Sequence, residues 1–276
     1  MPRRIDGNNA LYHYLQKVII PRDDEFSREL VRRLILDLSV WFPVDVYRAV
    51  PVLLPFCVRD STVKSKEWGS ASPQGCLRDN NSALKLLVGN YAIQSPRIGV
   101  YPRASRGQGF VASHAWRRIR IDGRSQYATT HPRTYSFIPN LAWLPAQVAK
   151  LTDHEGSYAQ QVLQAISHAL YAPAAHAHPA GLASVWEALP PPELQMDVDV
   201  RQLNYFAVTP RSISIRRNNL VREIGAVEET LLRGRVGAVS PRSARYLPTL
   251  AGIPREQASD LLDWLAEYKA FLCAGV

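Results

Sequence analysis

Cysteine is scarce in this chain. Cys57, Cys76 and Cys273 lie far apart and form no CxxC pair. That excludes a four-cysteine zinc site within one chain and argues against a disulfide framework. Three reduced thiols used for packing fit the pattern. Long apolar runs are missing as well. The strongest, VPVLLPFCV at 50–58, is too short and too proline-broken to span a bilayer. The opening stretch, MPRRIDGNNALYHYL, has no apolar signal core. There is no Gly-rich phosphate loop, internal repeat or coiled-coil heptad. The expectation is a soluble, cytoplasmic protein without membrane partners.

What is present is arginine. The chain has 276 residues, an ordinary 46% of them apolar, and a formal net charge of +9. Length alone allows one large domain or two smaller ones. Between Arg97 and Arg133 stand eight arginines (97, 103, 106, 117, 118, 120, 124 and 133) against one acid, Asp122, a local excess of +7. A second excess, +5, lies at 211–245, and the remainder is net acidic. The first field flanks His114 on both sides. Charge gathered around one histidine favours a polyanion site over general solubility, and arginine suits bidentate phosphate contacts. The alternative is an arginine-rich protein in which Arg replaces Lys generally.

Along the chain, residues 8–60 read mainly as helix. Leu11, Leu15, Val18 and Ile19 recur at helical spacing up to Pro21, and a second helix runs from about Asp24 to Trp41. Residues 59–82 read as a polar surface loop. Asn81 or Ser82 suits the N-cap of a short helix carrying Leu84, Leu86 and Leu87; Arg78 and Lys85 beside it read as solvated charges or phosphate contacts. Tyr91–Tyr101 reads as extended. Thr152 and Glu155 match a capping box opening a helix to about Tyr171. An Ala/Pro-rich connector at 173–193 is the expected domain boundary; His176 and His178 within it have too few ligands nearby for a metal site. Beyond it, Ile213 and Ile215 alternate in strand fashion, and 219–233 and 255–272 read as amphipathic helices.

The stretch from Gly109 to Asp153 combines these signals. GFVASHAW is a short apolar run ending on a histidine, and FIPNLAWLP is a second that opens with Asn140 and leads into a helix-like segment. Phosphodiester hydrolysis needs an activated water, relief of charge on the phosphate and help for the leaving oxygen. His114, held in one tautomer, can take the water's proton. Asn140 can brace the loop between the strands. His131, in that loop, reads as a loop residue or phosphate contact.

At these residues the chain resembles the HNH endonucleases of the ββα-metal superfamily, over roughly Phe110–Asp153. The wider run CLRDNNSALKLL, GFVASHAW, NLAWLP and LTDHE is similar to HNH-type proteins of bacterial restriction and defence systems. The resemblance implies His114 as general base and Asn140 as the loop-bracing asparagine. It also implies a divalent metal, Mg²⁺ or Mn²⁺, with Zn²⁺ or Ni²⁺ as alternatives. The chain departs from the pattern twice. Ser113 stands where the family has an acidic ligand, and Ala149 where it has a last His or Asn. Asp153 and His154 are then the candidate metal ligands, although some members use few protein ligands and let water complete the shell.

The expected fold is α+β, with a helical N-terminal layer and the HNH-like hairpin (about 109–153) making a domain over 1–172. A basic helical or winged module follows at 194–276. The expected activity is metal-dependent DNA cleavage in restriction or phage defence, RNA remaining open, with Arg103, Arg106, Arg117, Arg118, Arg120, Arg124 and Arg133 on the DNA backbone. A homodimer would serve a two-strand cut. The rivals are a non-catalytic DNA-binding protein on a degenerate hairpin, and an assembly protein whose basic faces meet another protein.

Overall fold

A computed structural model describes residues 7–63, 69–89, 91–96, 101, 109–121, 123–175, 180–236 and 246–274. The fold is α+β. Helix α1 (Gly7–Tyr14) runs through π and 3-10 turns that end at Arg22, where Asp23 takes a left-handed turn. Helix α2 (Glu25–Leu38) is capped by Asp24, whose carboxylate accepts from Ser27 N at 2.7 Å. It stops short of the expected Trp41. Val40–Trp41 instead form strand β1, because these buried residues pair on both sides.

Helix α3 (Val44–Ala49) follows. Strand β2 (Cys57–Arg59), at the leading edge of the 59–82 stretch expected as a loop, pairs parallel with β3 (Leu77–Asp79) within it. Helix α4 (Ser82–Leu87) is capped from a distance. Asn81 has φ +59 and makes no side-chain cap, while the Asp79 carboxylate accepts from Ser82 N and Ala83 N. The extended 91–101 segment yields β4 (Ile93–Gln94), with 97–100 outside the described residues.

Strand β5 (Phe110–His114) leads into a two-stranded antiparallel arm, β6 (Arg118–Ile121) and β7 (Arg124–Tyr127), with Gly123 at φ +72 just before β7. A single helical turn, α5 (Pro132–Tyr135), returns the chain to β8 (Leu141–Pro145) and the short α6 (Ala146–Ala149). Strand β8 is buried on both faces, which explains its unbroken apolar sequence. Trp143 meets Phe42 and Phe206 edge-on at 5.3 and 5.2 Å.

Helix α7 (Tyr158–Ala175) starts later than expected. Ser157 Oγ accepts from Gln160 N, and Gln160 Oε1 accepts from Gly156 N, so the cap sits at 157–160 rather than 152–155. Thr152 is engaged elsewhere, donating to Ala149 O. Helix α8 (Ala180–Glu187), β9 (Asn204–Phe206), α9 (Pro210–Arg233) and α10 (Ser259–Ala274) complete the chain.

The main sheet has the order β4-β9-β1-β8-β5. Its placement of β9 beside β1 corrects two expectations. The 173–193 stretch is not a linker between separate cores, since α8 occupies much of it with Leu182, Val185 and Leu189 buried. The C-terminal part is not a detached module either. One buried cluster runs from Val31 to Leu272. Trp264 Nε1 donates to Pro55 O at 3.0 Å, and the Tyr268 hydroxyl accepts from Val52 N and donates to Val52 O. No winged hairpin occurs among the described residues beyond 204. Ile213 and Ile215 belong to α9, which Thr209 caps and Pro210 starts; Leu220, Ile224, Val227 and Leu231 give it a helical buried stripe. Among the described residues no helix is long and apolar enough to cross a membrane.

Candidate active site

The two runs flagged in the sequence are adjacent strands. Strand β5 pairs antiparallel with β8, from Phe110↔Pro145 to His114↔Leu141, and α6 follows. His114 thus ends one strand next to Asn140, which opens the other.

A single helical turn between them fixes both side chains. The last carbonyls of any helix lack intrahelical partners. In α5 two successive ones are taken by the pair: Asn140 Nδ2 donates to Thr134 O at 3.2 Å, and His114 Nε2 lies 3.0 Å from Tyr135 O. A carbonyl only accepts, so Nε2 carries the proton and Nδ1 is the basic nitrogen. Asn140 is fully buried; its Oδ1 also accepts from Trp116 N at 2.7 Å. Both ends of the amide therefore tie the inter-strand connection to β8. The His114 and Tyr135 rings lie nearly parallel, 5.8 Å between centroids. The Tyr135 hydroxyl donates to the buried Asp79 carboxylate at 2.7 Å.

His114 is 7% exposed and is among the residues that line a cavity of about 590 Å³. Arg59, Lys85, Arg117, Lys150 and Asp153 share the wall: four cations and one carboxylate. Burial first, then the guanidinium groups of Arg59 and Arg117, push the imidazole down from 6.5 to about 4, with the Tyr135 carbonyl acting against them. The ring is neutral at pH 7, and Nδ1 makes no hydrogen bond among the described residues.

Comparison with family models, curated proteins and solved structures found no match to this chain.

Ser113 and Ala149, at the two positions where the HNH pattern has ligands, both line this cavity. Ser113 Oγ is 2.7 Å from Thr152 Oγ1, a neutral buried pair. Asp153 also lines it, 70% exposed, with Arg117 Nη1 3.9 Å away. His154 does not. Its Nε2 accepts from Gln16 at 3.0 Å, away from the cavity lining. Among the described residues no three His, Cys, Asp or Glu side chains group as a metal cage. The single carboxylate suits Mg²⁺ or Mn²⁺, ions held through one or two carboxylates plus substrate phosphate and water.

The described arginines of the field fall in more than one place. Arg117 lines the first cavity, while Arg120 and Arg133 line a second. Arg118 and Arg124 are exposed on the β6–β7 arm, Arg118 over the Tyr127 ring at 4.8 Å. Arg97, Arg103 and Arg106 lie outside the described residues, as do His176 and His178. His131 caps α5, its Nδ1 accepting from Arg133 N at 3.3 Å. Arg59 was missed, because only the fold brings it to the cavity of a residue 55 positions later in the chain. Lys150 had a faint signal, being one residue after Ala149.

Proposed function

We propose that the chain is a metal-assisted endonuclease of HNH type acting on DNA. The observation that carries this is a neutral imidazole, its donor nitrogen fixed by the Tyr135 carbonyl, on the wall of a cavity with four cations. Arg59, Lys85, Arg117 and Lys150 hold the scissile phosphate as charge-assisted donors. His114 Nδ1 accepts the proton of a water as its oxygen attacks phosphorus. Asn140 and the α5 carbonyls keep the ring in the tautomer that permits this. Asp153 would anchor Mg²⁺ or Mn²⁺ entering with the phosphate, which supplies relief of charge on the leaving oxygen. Restriction or phage defence is the setting that fits such an activity, and two copies would serve a two-strand cut.

The neutral Ser113–Thr152 pair favours one rival, a DNA-binding protein that has lost cleavage. Plasmid nicking in Mg²⁺ or Mn²⁺, wild type against His114→Ala, with gel retardation in parallel, separates the two. Nicking by the wild type alone, with retardation by both, supports the nuclease. Salt-sensitive retardation without nicking supports the binder.

A further inference from the structure

The cavity that holds His114 has an aromatic side chain for which phosphate chemistry has no use. Among the described residues lining it, Tyr127 is the one ring besides His114. Strand pairing puts it there. Tyr127 stands opposite Arg118 across the β6–β7 arm, and Ala128 N donates to Arg117 O at 2.8 Å, which ties the end of β7 to a cation of the cavity wall. Directly opposed residues share one face of a two-stranded arm. Arg118, Arg120, Ser125 and Tyr127 make up the outward face, all of them exposed, whereas Ile119 on the other face is buried. The backbone beneath that face is anchored, since Arg120 N donates to Ala188 O at 2.8 Å. Tyr127 is 50% exposed, and the Arg118 guanidinium lies over its ring, 4.8 Å from the centroid. A ring left half in water forgoes most of the gain from burying it. Aromatic rings and guanidinium planes are the surfaces on which unpaired bases stack, and here the two lie together at the wall of a cation-lined cavity.

We infer that Tyr127 and Arg118 form a stacking platform for an unpaired nucleobase, next to the phosphodiester held by Arg59, Lys85, Arg117 and Lys150. The phosphate half of this site rests on the nuclease reading above; the base half adds that the strand is unpaired at the cut. A base within a duplex has both faces covered by its neighbours, so only a splayed or single-stranded nucleotide can lay its ring on a side chain. The cavity is within the size range of small-molecule sites, enough for a phosphate with its nucleoside.

The test is fluorescence anisotropy at low salt with two labelled single strands of equal length, oligo-dT and a fully abasic strand carrying the same phosphates. Wild type is compared with Tyr127→Ala and Tyr127→Phe, substitutions at an exposed position. Oligo-dT should bind the wild type on the order of tenfold tighter than the abasic strand. Tyr127→Ala should bring that ratio near one with affinity for the abasic strand unchanged, and Tyr127→Phe should keep the ratio. Equal wild-type affinity for the two strands overturns the platform. So does a ratio that Tyr127→Ala leaves unchanged, the result expected of a cross-strand pair that only holds the arm together. A ratio lost in Tyr127→Phe as well assigns the contact to the hydroxyl and overturns stacking too. Each of these leaves the nuclease reading intact if duplex nicking persists. Absence of binding to either strand overturns both.

Discussion

At His114 burial and two guanidinium groups act in the same direction, toward a neutral ring. The folded state then binds fewer protons than the unfolded chain below pH 6.5, so stability must fall as pH drops. The contribution is fully present above 6.5 and is lost progressively toward about 4. From the size of that shift the loss is on the order of 3 kcal/mol. Urea titrations between pH 7 and 4 should show this slope in the wild type and a shallower one in His114→Asn. Equal slopes would mean the imidazole is not depressed. Asn140 is expected to matter for folding more than for charge. Asn140→Ala strands the Trp116 N–H in a fully buried place, while the Thr134 carbonyl keeps its backbone donors, at a cost of roughly 1–3 kcal/mol. A variant melting like the wild type would show that water or a shift of the loop replaces the amide. These two residues were legible because each interrupts an apolar run. Their partners were not, since the Thr134 and Tyr135 carbonyls carry no side-chain signature.

Elements with strong periodicity could be read, and those fixed by remote pairing could not. The α2 stripe and the unbroken apolar β8 are visible in sequence, yet the end of α2 depends on Val40–Trp41 being drawn between β8 and β9. The start of α7 shows two capping patterns competing. Thr152–Glu155 and Ser157–Gln160 both match, and the second forms because Thr152 is held by Ser113 and Ala149. Ser157→Ala should therefore lower stability by about 1 kcal/mol, while Glu155→Ala, at an exposed position, should leave it almost unchanged. Chemical denaturation of the two variants measures this. The reverse order would restore the upstream cap.

Across the whole molecule the expected division at 173–193 fails for a topological reason. Proline and alanine are common in linkers, but here Pro173 is tolerated inside α7, and β9 returns the later chain to the central sheet. Sequence composition does not report which strand pairs with which. The chain should accordingly unfold in one transition, with fluorescence and circular dichroism coinciding. Tyr268→Phe, which removes both bonds to Val52, should shift that single transition down by roughly 2 kcal/mol without splitting it. Two separated transitions would mean the C-terminal part folds by itself.

The proposed cleavage needs a pre-set neutral imidazole as base in the cation-lined cavity. The most direct measurement is the pH dependence of kcat/KM for DNA cleavage, which reports the ionisation of the free enzyme. The rate constant should hold from pH 8 to about 5 and fall only as the pH approaches about 4, the value to which His114 is pushed. An acid limb centred near 6.5, or the same profile and rate in His114→Ala, would contradict the claim.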